Sequence, residues 1–196
     1  MDLQLNGKRA LVTGGSRGIG LASARQLARE GCVVVLAARD EAALGAAARS
    51  ISEETGAKVG ACTVDTSSDA SVKAMVKAAK DQLGGVDILV NAAAKVGGQA
   101  PPPKLAEITD ELFWDDVNVK VMGYLRCARE VAPLMAAEGW GRIVNISGLA
   151  ARQTGSAIGS IRNVGVAALT KNLADELGSH GINVTCVHPG LTRTEK

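Results

Sequence analysis

Apolar and polar positions alternate in blocks along the chain, so that short apolar runs are separated by longer amphipathic segments. Continuous apolar runs predict strands that are buried on both faces of a sheet, and amphipathic periodicity predicts helices. The predicted strands are residues 9–13, 32–37, 58–64, 86–91, 142–147 and 183–187. The predicted helices are residues 18–30, 41–54, 69–83, 109–137 and 161–177.

This regular alternation of strand and helix predicts the fold class. It is typical of βαβ units, whose right-handed crossovers build a parallel sheet with helices on both faces. We expect an α/β fold with three layers, a doubly wound (Rossmann) parallel sheet of at least six strands in the order 3-2-1-4-5-6. The sequence shows no repeat or linker, and the proline run at 101–103 is interpreted as a surface loop. Residues 1–196 are therefore expected to form a single domain.

Composition changes this picture mainly by exclusion. The aromatic residues are Phe113, Trp114, Tyr124 and Trp140, too few to provide stacking platforms for nucleic acid bases. A net charge of +2 is too small to attract a polyanion. The four cysteines form no C-x-x-C pair and the two histidines lie apart, so no metal site is expected. Because we find no signal peptide and no apolar run of about 18 residues, we expect a cytoplasmic protein with no membrane partner.

A glycine-rich turn, T-G-G-S-R-G-I-G at residues 13–20, joins the first predicted strand to the first predicted helix. A pyrophosphate needs backbone N–H donors that it can approach closely, and glycine leaves no Cβ in the way. The N-terminus of the following helix adds unpaired N–H groups and a positive dipole end. We interpret the turn as a phosphate-binding site made of Gly14, Ser16, Arg17, Gly18, Ile19 and Gly20.

The spacing T-G-x-x-x-G-x-G resembles that of the short-chain dehydrogenase/reductase family, and other motifs extend the resemblance over nearly the whole chain. N-A-A-A at residues 91–94 is similar to the family's N-N-A-G, and I-S-G at 146–148 is similar to its strand end with an active-site serine. P-G at 189–190 is similar to the family's P-G-x-x-x-T, although Thr192 comes early in that pattern and Thr194 is the other candidate.

The resemblance implies an NAD(P)-dependent oxidoreductase in which residues 1–196 bind the dinucleotide. It implies that the cofactor contacts Asp65, Thr66, Asn91, Ala92, Ala93, Pro189, Gly190 and Thr192. It also implies that Asn118 and Ser147 are active-site residues.

The end of the second predicted strand bears on the choice between NADP(H) and NAD(H). An NAD enzyme usually has a carboxylate there that binds both ribose hydroxyls, whereas this chain has Ala37 at the position we assign to it. Arg39 offers paired donors to a 2′-phosphate, and Arg17 adds a second positive charge. NADP(H) is therefore favoured over NAD(H). In the alternative, both arginines are solvated surface residues. Asp40, the next residue, either provides the carboxylate for NAD binding or caps the next helix.

The family also has a tyrosine followed four residues later by a lysine, and this pair is missing here. The tyrosine protonates the carbonyl oxygen, and the lysine lowers its pKa. Counting forward from Ser147 puts the pair at Ser160 and Val164. Counting back from residues 168–171 puts it at Gly159 and Asn163, so two registers of this segment remain open.

Other residues replace this pair only in part. Tyr124, the one tyrosine, comes six positions after Asn118 and is expected to lie away from that face of the helix. Arg162 supplies positive charge but is a poor proton donor. Asn163 offers a hydrogen bond to the nicotinamide ribose without changing any pKa.

Two functions from different classes therefore remain open. In the first, the chain is an oxidoreductase in which NADPH passes a hydride to a carbonyl of a small molecule, or removes one from an alcohol in reverse. Ser147 then polarises the carbonyl oxygen, and water ordered by Asn118 delivers the proton. In the second, the chain is a catalytically impaired NADP(H)-binding protein that acts as a regulatory or structural subunit.

The resemblance also bears on partners and on the end of the sequence. It implies a homodimer or homotetramer formed by the two helices that flank the fifth strand, with no nucleic acid partner. The alternative is that the apolar residues of these helices only pack on the sheet. The family continues beyond the sixth strand with a substrate-binding segment, so either this segment is absent or the chain continues past Lys196.

Overall fold

Six parallel strands form the centre of the fold in this computed structural model, which describes residues 2–95 and 101–194. They are β1 (Arg9–Thr13), β2 (Val33–Ala38), β3 (Val59–Thr63), β4 (Ile88–Asn91), β5 (Gly141–Ile146) and β6 (Ile182–Val187). Their order is β3-β2-β1-β4-β5-β6, and every neighbouring pair is parallel. The predicted doubly wound α/β fold and its strand order are confirmed.

Helices connect these strands across both faces of the sheet. Within the described ranges they are α1 (Gly18–Arg29), α2 (Glu41–Thr55), α3 (Asp69–Leu83), α4 (Asp110–Val117), α5 (Gly123–Ala137) and α6 (Ala157–Gly178). Short 3₁₀ turns occupy Leu105–Glu107 and Leu149–Ala151. α6 begins at Ala157 rather than at residue 161, because the Ser156 hydroxyl accepts the Gly159 backbone N–H and caps the helix.

The helix predicted over residues 109–137 changes its pitch in the middle. α4 passes into a π-helical turn, Asn118–Met122, and α5 follows directly. π turns are rare and are frequent at functional sites. Because a π turn holds more residues than an α turn, it changes the direction in which later side chains point.

The strands alternate between two apolar layers, as continuous buried strands require. Ala10, Val12, Val34, Leu36, Ile88 and Val90 pack in one buried cluster with residues of α1 and α2. Leu11, Val35, Ala37, Leu89 and Ile143 pack in another with residues of α3 and α5. With both faces covered, the carboxyl ends of the strands are the edge where loops meet to form a site.

Two chemical features of this fold bear on function. Among residues 2–95 and 101–194, no helix is both long and apolar enough to cross a membrane, and no three His, Cys, Asp or Glu side chains gather as metal ligands. All four cysteines are free thiols. Burial raises the pKa of Cys32 and Cys62 to about 11 and that of Cys127 to about 12, so these three thiols stay protonated at neutral pH.

An ion pair joins β1 and β4 at the amino ends of these strands, opposite the carboxyl ends where the loops meet. Arg9 donates to the Asp87 carboxylate through Nη2 at 2.7 Å, Nε at 2.9 Å and its backbone N–H at 2.8 Å. Burial acts to raise the pKa of Asp87, but the hydrogen bonds and charge of Arg9 outweigh it, and the pKa lies below its usual value. Asp87 is therefore ionised at neutral pH, and its ion pair with Arg9 holds the starts of β1 and β4 together.

We expect Asp87→Ala to lower the free energy of unfolding by about 2–4 kcal/mol at neutral pH. The exchange leaves the half-buried Arg9 guanidinium, in the described part of the chain, with only the Gly84 carbonyl and the exposed Glu138 carboxylate, which lies 3.8 Å away. Since the pKa of Asp87 is lowered by folding, its stabilisation is present above an unfolded pKa of about 4 and is lost as the pH falls. Urea unfolding of both proteins should therefore show a difference that shrinks on acidification. Asp81→Ala, which removes the exposed pair with Lys77, is the matched control and should leave stability nearly unchanged.

Candidate functional site

A cavity of about 940 Å³ opens at the carboxyl ends of the strands. It runs from Ala38 and Arg39 at the end of β2, past the glycine-rich turn after β1, to Ser147 after β5. β2 and β5 are three strand spacings apart in the sheet. That distance is about 14 Å, so the cavity is long enough for an extended ligand with several recognised groups.

Most of the predicted site residues meet in this cavity. Its lining includes Gly14, Ser16, Arg17, Ile19, Gly20, Arg39, Asp65, Thr66, Ala92, Ala93 and Ser147. The remaining predicted residues, which are Gly18, Asn91, Asn118, Pro189, Gly190 and Thr192, are not part of the lining. The residues that meet come from the ends of β1, β2, β4 and β5 and from the loop after β3.

The glycines of the turn are required by how closely the backbone segments approach one another. Gly14 has φ +68°, and a Cβ on it would lie 2.8 Å from backbone atoms of Ala92 and Ala93. A Cβ on Gly20 would overlap the carbonyl carbon and oxygen of Gly14. The turn therefore packs directly on the end of β4.

The end of β2 corrects one detail of the sequence interpretation. Ala37 is fully buried in the core, whereas Ala38 and Arg39 line the cavity. The position at the end of β2 that faces the cavity is therefore Ala38 and not Ala37, because side chains on a strand alternate between the two faces. Asp40 caps α2 by accepting the Ala43 backbone N–H at 3.0 Å, as one of the two sequence alternatives expected.

The loop after β3 supplies a carboxylate and a hydroxyl to the same end of the cavity. The Asp65 carboxylate accepts hydrogen bonds from the Ser67 hydroxyl and backbone N–H, and these bonds lower the pKa of Asp65. The Thr66 hydroxyl donates to the Val119 carbonyl at 2.9 Å. These bonds hold the loop after β3 in place and fasten it to the π turn.

Asn91 links two strands instead of facing the cavity. Its side chain is fully buried, and Nδ2 donates to the Asn145 side-chain oxygen at 2.9 Å. Asn145 in turn donates to the Thr170 hydroxyl on α6 at 3.0 Å. These hydrogen bonds join β4, β5 and α6 behind the cavity, so Asn91 supports the site without lining it.

Asn118 also points away from the cavity. Its side-chain oxygen accepts a hydrogen bond from Arg126 at 2.8 Å, and its amide lies 3.5 Å from the Ser67 carbonyl. Arg126 also donates to the carbonyl of Thr66 at 3.0 Å. Asn118 therefore joins the π turn to the loop after β3 and is not brought together with Ser147.

Ser147 stands at the inner end of the cavity and is only 4% exposed. Its hydroxyl donates to the backbone carbonyl of Asn163 at 2.9 Å. Asn163 is 2% exposed and faces the site, while Val164 is 52% exposed. Of the two registers left open by the sequence, the one with Gly159 and Asn163 in place of the tyrosine and lysine matches this orientation of α6.

Lys120, on the π turn, was missed in the sequence interpretation. It lines the inner end of the cavity with 4% of its surface exposed, and its Nζ donates to the Ser147 backbone carbonyl at 2.8 Å and to Asn163 Oδ1 at 2.9 Å. Burial and the charge of Arg162 lower the pKa of Lys120 to about 7. A signal was present, since V-K-V puts this lysine between two apolar residues.

Two other polar groups surround the lysine. Arg162 donates through Nη1 to both carboxylate oxygens of Asp116, at 2.6 and 2.9 Å. Tyr124 donates its phenol proton to the Ile146 carbonyl at 3.0 Å, and burial strongly raises the pKa of this phenol. Tyr124 thus lines the cavity but holds its proton too firmly to act as an acid at neutral pH.

The segment after β6 lies at the outer side of the glycine turn. Pro189 and Thr192 line a neighbouring cavity of about 460 Å³ together with Gly18 and Ile19. Thr194 lines both this cavity and the main one. Of the two threonines considered from the sequence, Thr194 is therefore the one that reaches the main cavity.

The sequence of this chain is similar to those of known proteins. The sequence profile of the family described as "short chain dehydrogenase" matches residues 8–196. A protein described as the ketoacyl reductase of the monensin polyketide synthase from Streptomyces virginiae is 39% identical over 196 residues, which cover 97% of this chain and 73% of that protein.

Two solved structures have a fold similar to that of this chain. L-sorbose reductase from Gluconobacter frateurii, solved with NADPH and L-sorbose, superposes with a TM-score of 0.92 at 35% identity, over 100% of this chain and 73% of that one. A variant of actinorhodin polyketide ketoreductase, solved with NADPH, superposes with a TM-score of 0.89 at 37% identity, over 100% of this chain and 74% of that one.

Proposed function

We propose that this chain, which belongs to the short-chain dehydrogenase family of NAD(P)-dependent oxidoreductases, uses NADPH to reduce a carbonyl group of a small organic molecule. The observation that carries the proposal is the cavity itself. It joins a turn in which Gly14 and Gly20 carry no side chain, an arginine at the end of β2 and a buried serine–lysine cluster after β5. Its volume of about 940 Å³ suits a dinucleotide together with part of a substrate.

The residues present fit such a dinucleotide. The backbone N–H groups at the start of α1 would hold its pyrophosphate, since Gly14 and Gly20 leave no side chain in the way. Asp65 and Thr66 would flank the adenine end, and Ala92 and Ala93 would lie under the middle of the molecule. When bound, the nicotinamide supplies hydride transfer, a chemistry that no side chain provides.

The preference for NADPH rests on charge at the end of β2. Arg39 and Arg17 both line the cavity, and the ribose-facing position is the neutral Ala38. Of the two carboxylates that the described residues place in the cavity lining, that of Asp40 caps α2 and that of Asp65 accepts hydrogen bonds from Ser67. A 2′-phosphate would therefore meet two guanidinium groups, and guanidinium groups bind phosphate through paired donors. The two solved relatives that contain NADPH support the same preference.

The serine–lysine cluster would receive the reacting carbonyl. The Ser147 hydroxyl is held in place by the Asn163 carbonyl and can turn its proton towards a substrate oxygen instead. The relatives described as a ketoacyl reductase and a sorbose reductase support carbonyl reduction as the reaction. A proton path through water on Asn118, expected from the sequence, is not retained because that amide is bonded to Arg126 outside the cavity.

One observation favours a second function. In the register that the orientation of α6 favours, Gly159 and Asn163 take the positions of the family's tyrosine and lysine, so the first turns of α6 supply neither a phenol nor an amine. If Lys120 only fills the space behind Ser147, the chain would bind NADPH without turnover and act as a regulatory or structural subunit.

Turnover with excess enzyme separates the two functions. We expect the absorbance of the reduced nicotinamide to fall when NADPH-saturated protein meets one of three carbonyl probes: a β-ketoacyl thioester mimic, a ketohexose or an aryl ketone. The loss should exceed that in a protein-free control and should give the matching alcohol by mass spectrometry. Tight NADPH binding with no oxidation above that control would contradict the reductase and support the second function.

We further propose a homodimer or homotetramer that buries the outer faces of α5 and α6. Cys127 on α5 and Val166 on α6 are fully buried within the chain itself, so they are not available to such an interface. Ile161 and Val164 on α6 and Met122 before α5 remain exposed and form the apolar surface that a second copy would cover. Sedimentation equilibrium tests this, and a monomer at micromolar concentration would contradict it.

A further inference from the structure

We propose that Lys120 donates the proton that the reduced carbonyl oxygen receives, and so does the work for which this chain has no tyrosine–lysine pair. The inference rests on the proposed reductase function and gives that function its acid. The amine comes from the π turn before α5, whereas the family's pair comes from the start of α6.

The first argument is position. The Lys120 ammonium is bonded to the Asn163 side chain, which occupies the family's lysine position, and to the backbone of Ser147. It therefore brings an amine to the place on α6 where the chain itself has only an amide. Lys120 and Ser147 line the same end of the cavity, about three strand spacings from Arg39, so the reacting end of a dinucleotide that begins at Arg39 would lie beside them.

The second argument is the number of donors. A lysine ammonium has three N–H bonds, and in the described part of the chain two of them have acceptors, at 2.8 and 2.9 Å. Lys120 nevertheless lies in the cavity lining. One N–H bond is therefore available to a substrate oxygen, while the other two keep Nζ at a fixed position.

The third argument is electrostatic. Arg162 on α6 disfavours the charged form of Lys120, while Asp116 on α4 and Cys186 on β6 favour it less strongly than burial opposes it. The other titratable groups nearby are Tyr124 on α5, whose proton is held by Ile146, and His188, whose ring lies 3.6 Å from the Cys186 sulfur and 3.5 Å from the Gly148 carbonyl. With a pKa of about 7, Lys120 both carries and releases a proton at neutral pH.

The proton transfer balances without another reactant. The carbonyl carbon gains a C–H bond from the hydride, and the π electrons of the C=O bond move onto the oxygen. That oxygen forms an O–H bond as an N–H bond of Lys120 breaks, and NADPH is oxidised to NADP⁺. The neutral amine stays on its two partners by donating its remaining hydrogens, and it takes a new proton from water at the mouth of the cavity.

Two variants separate proton donation from a structural role. Lys120→Met keeps the length of the side chain without a proton, and Lys120→Arg keeps the charge but cannot release a proton at neutral pH. We expect both to lower kcat for reduction by about 10²–10⁴-fold, the usual contribution of a general acid. NADPH affinity should stay within about threefold of the parent. Lys171→Met, an exposed lysine of α6, is the matched control and should keep the parent's kcat.

A second measurement needs neither NADPH nor turnover. In protein with ¹³C-labelled lysine, the Cε resonance that is missing from Lys120→Met identifies Lys120, and its pH titration gives the protonation state directly. We expect a midpoint near 7, well below the ordinary value of about 10.4. In the reduction, kcat should fall as the pH rises through the same midpoint, because the acid form is lost.

The outcomes distinguish the two proposals. If the parent protein oxidises no NADPH with any probe, the reductase function fails and the Lys120 proposal fails with it. If the parent is active and Lys120→Met or Lys120→Arg keeps kcat within about fivefold, the role of Lys120 alone is overturned. A kcat that stays constant as the pH rises through the Lys120 midpoint would also overturn it, because loss of the acid form would then have no effect on the reduction.

Discussion

Gly20→Ala is expected to weaken the binding of both NADPH and NADH by at least about 100-fold, or roughly 2.7 kcal/mol. The new Cβ would overlap the carbonyl of Gly14, and Gly14 itself lies against the backbone of Ala92 and Ala93. The turn must therefore move off the end of β4, and the N–H groups at the start of α1 lose their common direction. Isothermal titration calorimetry with both nucleotides measures the loss.

Gly45→Ala on α2 is the matched control for this prediction. A Cβ at Gly45 meets only the flexible end of Arg49 at 3.5 Å, and the position is helical. The exchange should stabilise the protein by about 0.5–1 kcal/mol and leave both affinities unchanged. Circular dichroism must show that Gly20→Ala still folds. A folded Gly20→Ala protein that binds NADPH as the parent does would refute the role given to the turn.

Arg39→Ala is expected to weaken NADPH binding by about 10–100-fold and to leave NADH binding nearly unchanged. The expected loss corresponds to one charge-assisted interaction, about 1.5–3 kcal/mol, with the 2′-phosphate that only NADPH carries. The Arg39 side chain is exposed, so its removal should not alter the fold. Raising the salt concentration should reduce the difference between parent and variant, because an exposed charge pair is screened.

Arg49→Ala provides the comparison for Arg39→Ala. It removes the same charge from an exposed position on α2 that does not line the cavity. Its NADPH affinity should equal that of the parent. Equal losses in both variants would mean that net charge alone attracts the nucleotide, and an unchanged NADPH-to-NADH ratio in Arg39→Ala would refute the assignment of Arg39 to the 2′-phosphate.

The fold was predictable because its signals are local and repeated. β1 and α3 have the predicted bounds, since each is a clean periodic run closed by a turn signal, Gly14 after β1 and Gly84 after α3. The start of α6 was misplaced because its first turn, A-I-G-S, contains a glycine and a serine that favour a loop in isolation. The cap at Ser156 and packing on the sheet outweigh that weak preference.

The parts of the site that depend on the ends of strands were predictable from the sequence. The parts that depend on the direction of side chains on the π turn were less predictable. The glycine turn and Arg39 follow from positions next to β1 and β2, and both line the cavity. Asn118 and Lys120 depend on the π turn, which no periodicity in the sequence announces. Asn118 was expected at the site from the family resemblance, and Lys120 was not considered. The shift from Ala37 to Ala38 has a similar cause, because one residue along a strand reverses its face.

Calorimetric titration of the folded chain with NADPH and, separately, with NADH tests the nucleotide site most directly. We expect one NADPH site per chain with a micromolar or lower dissociation constant, and binding at least about tenfold weaker for NADH, or about 1.4 kcal/mol. Absence of any heat from saturating NADPH in folded protein would contradict a dinucleotide site at the carboxyl edge of the sheet. Equal affinities for the two nucleotides would contradict recognition of the 2′-phosphate.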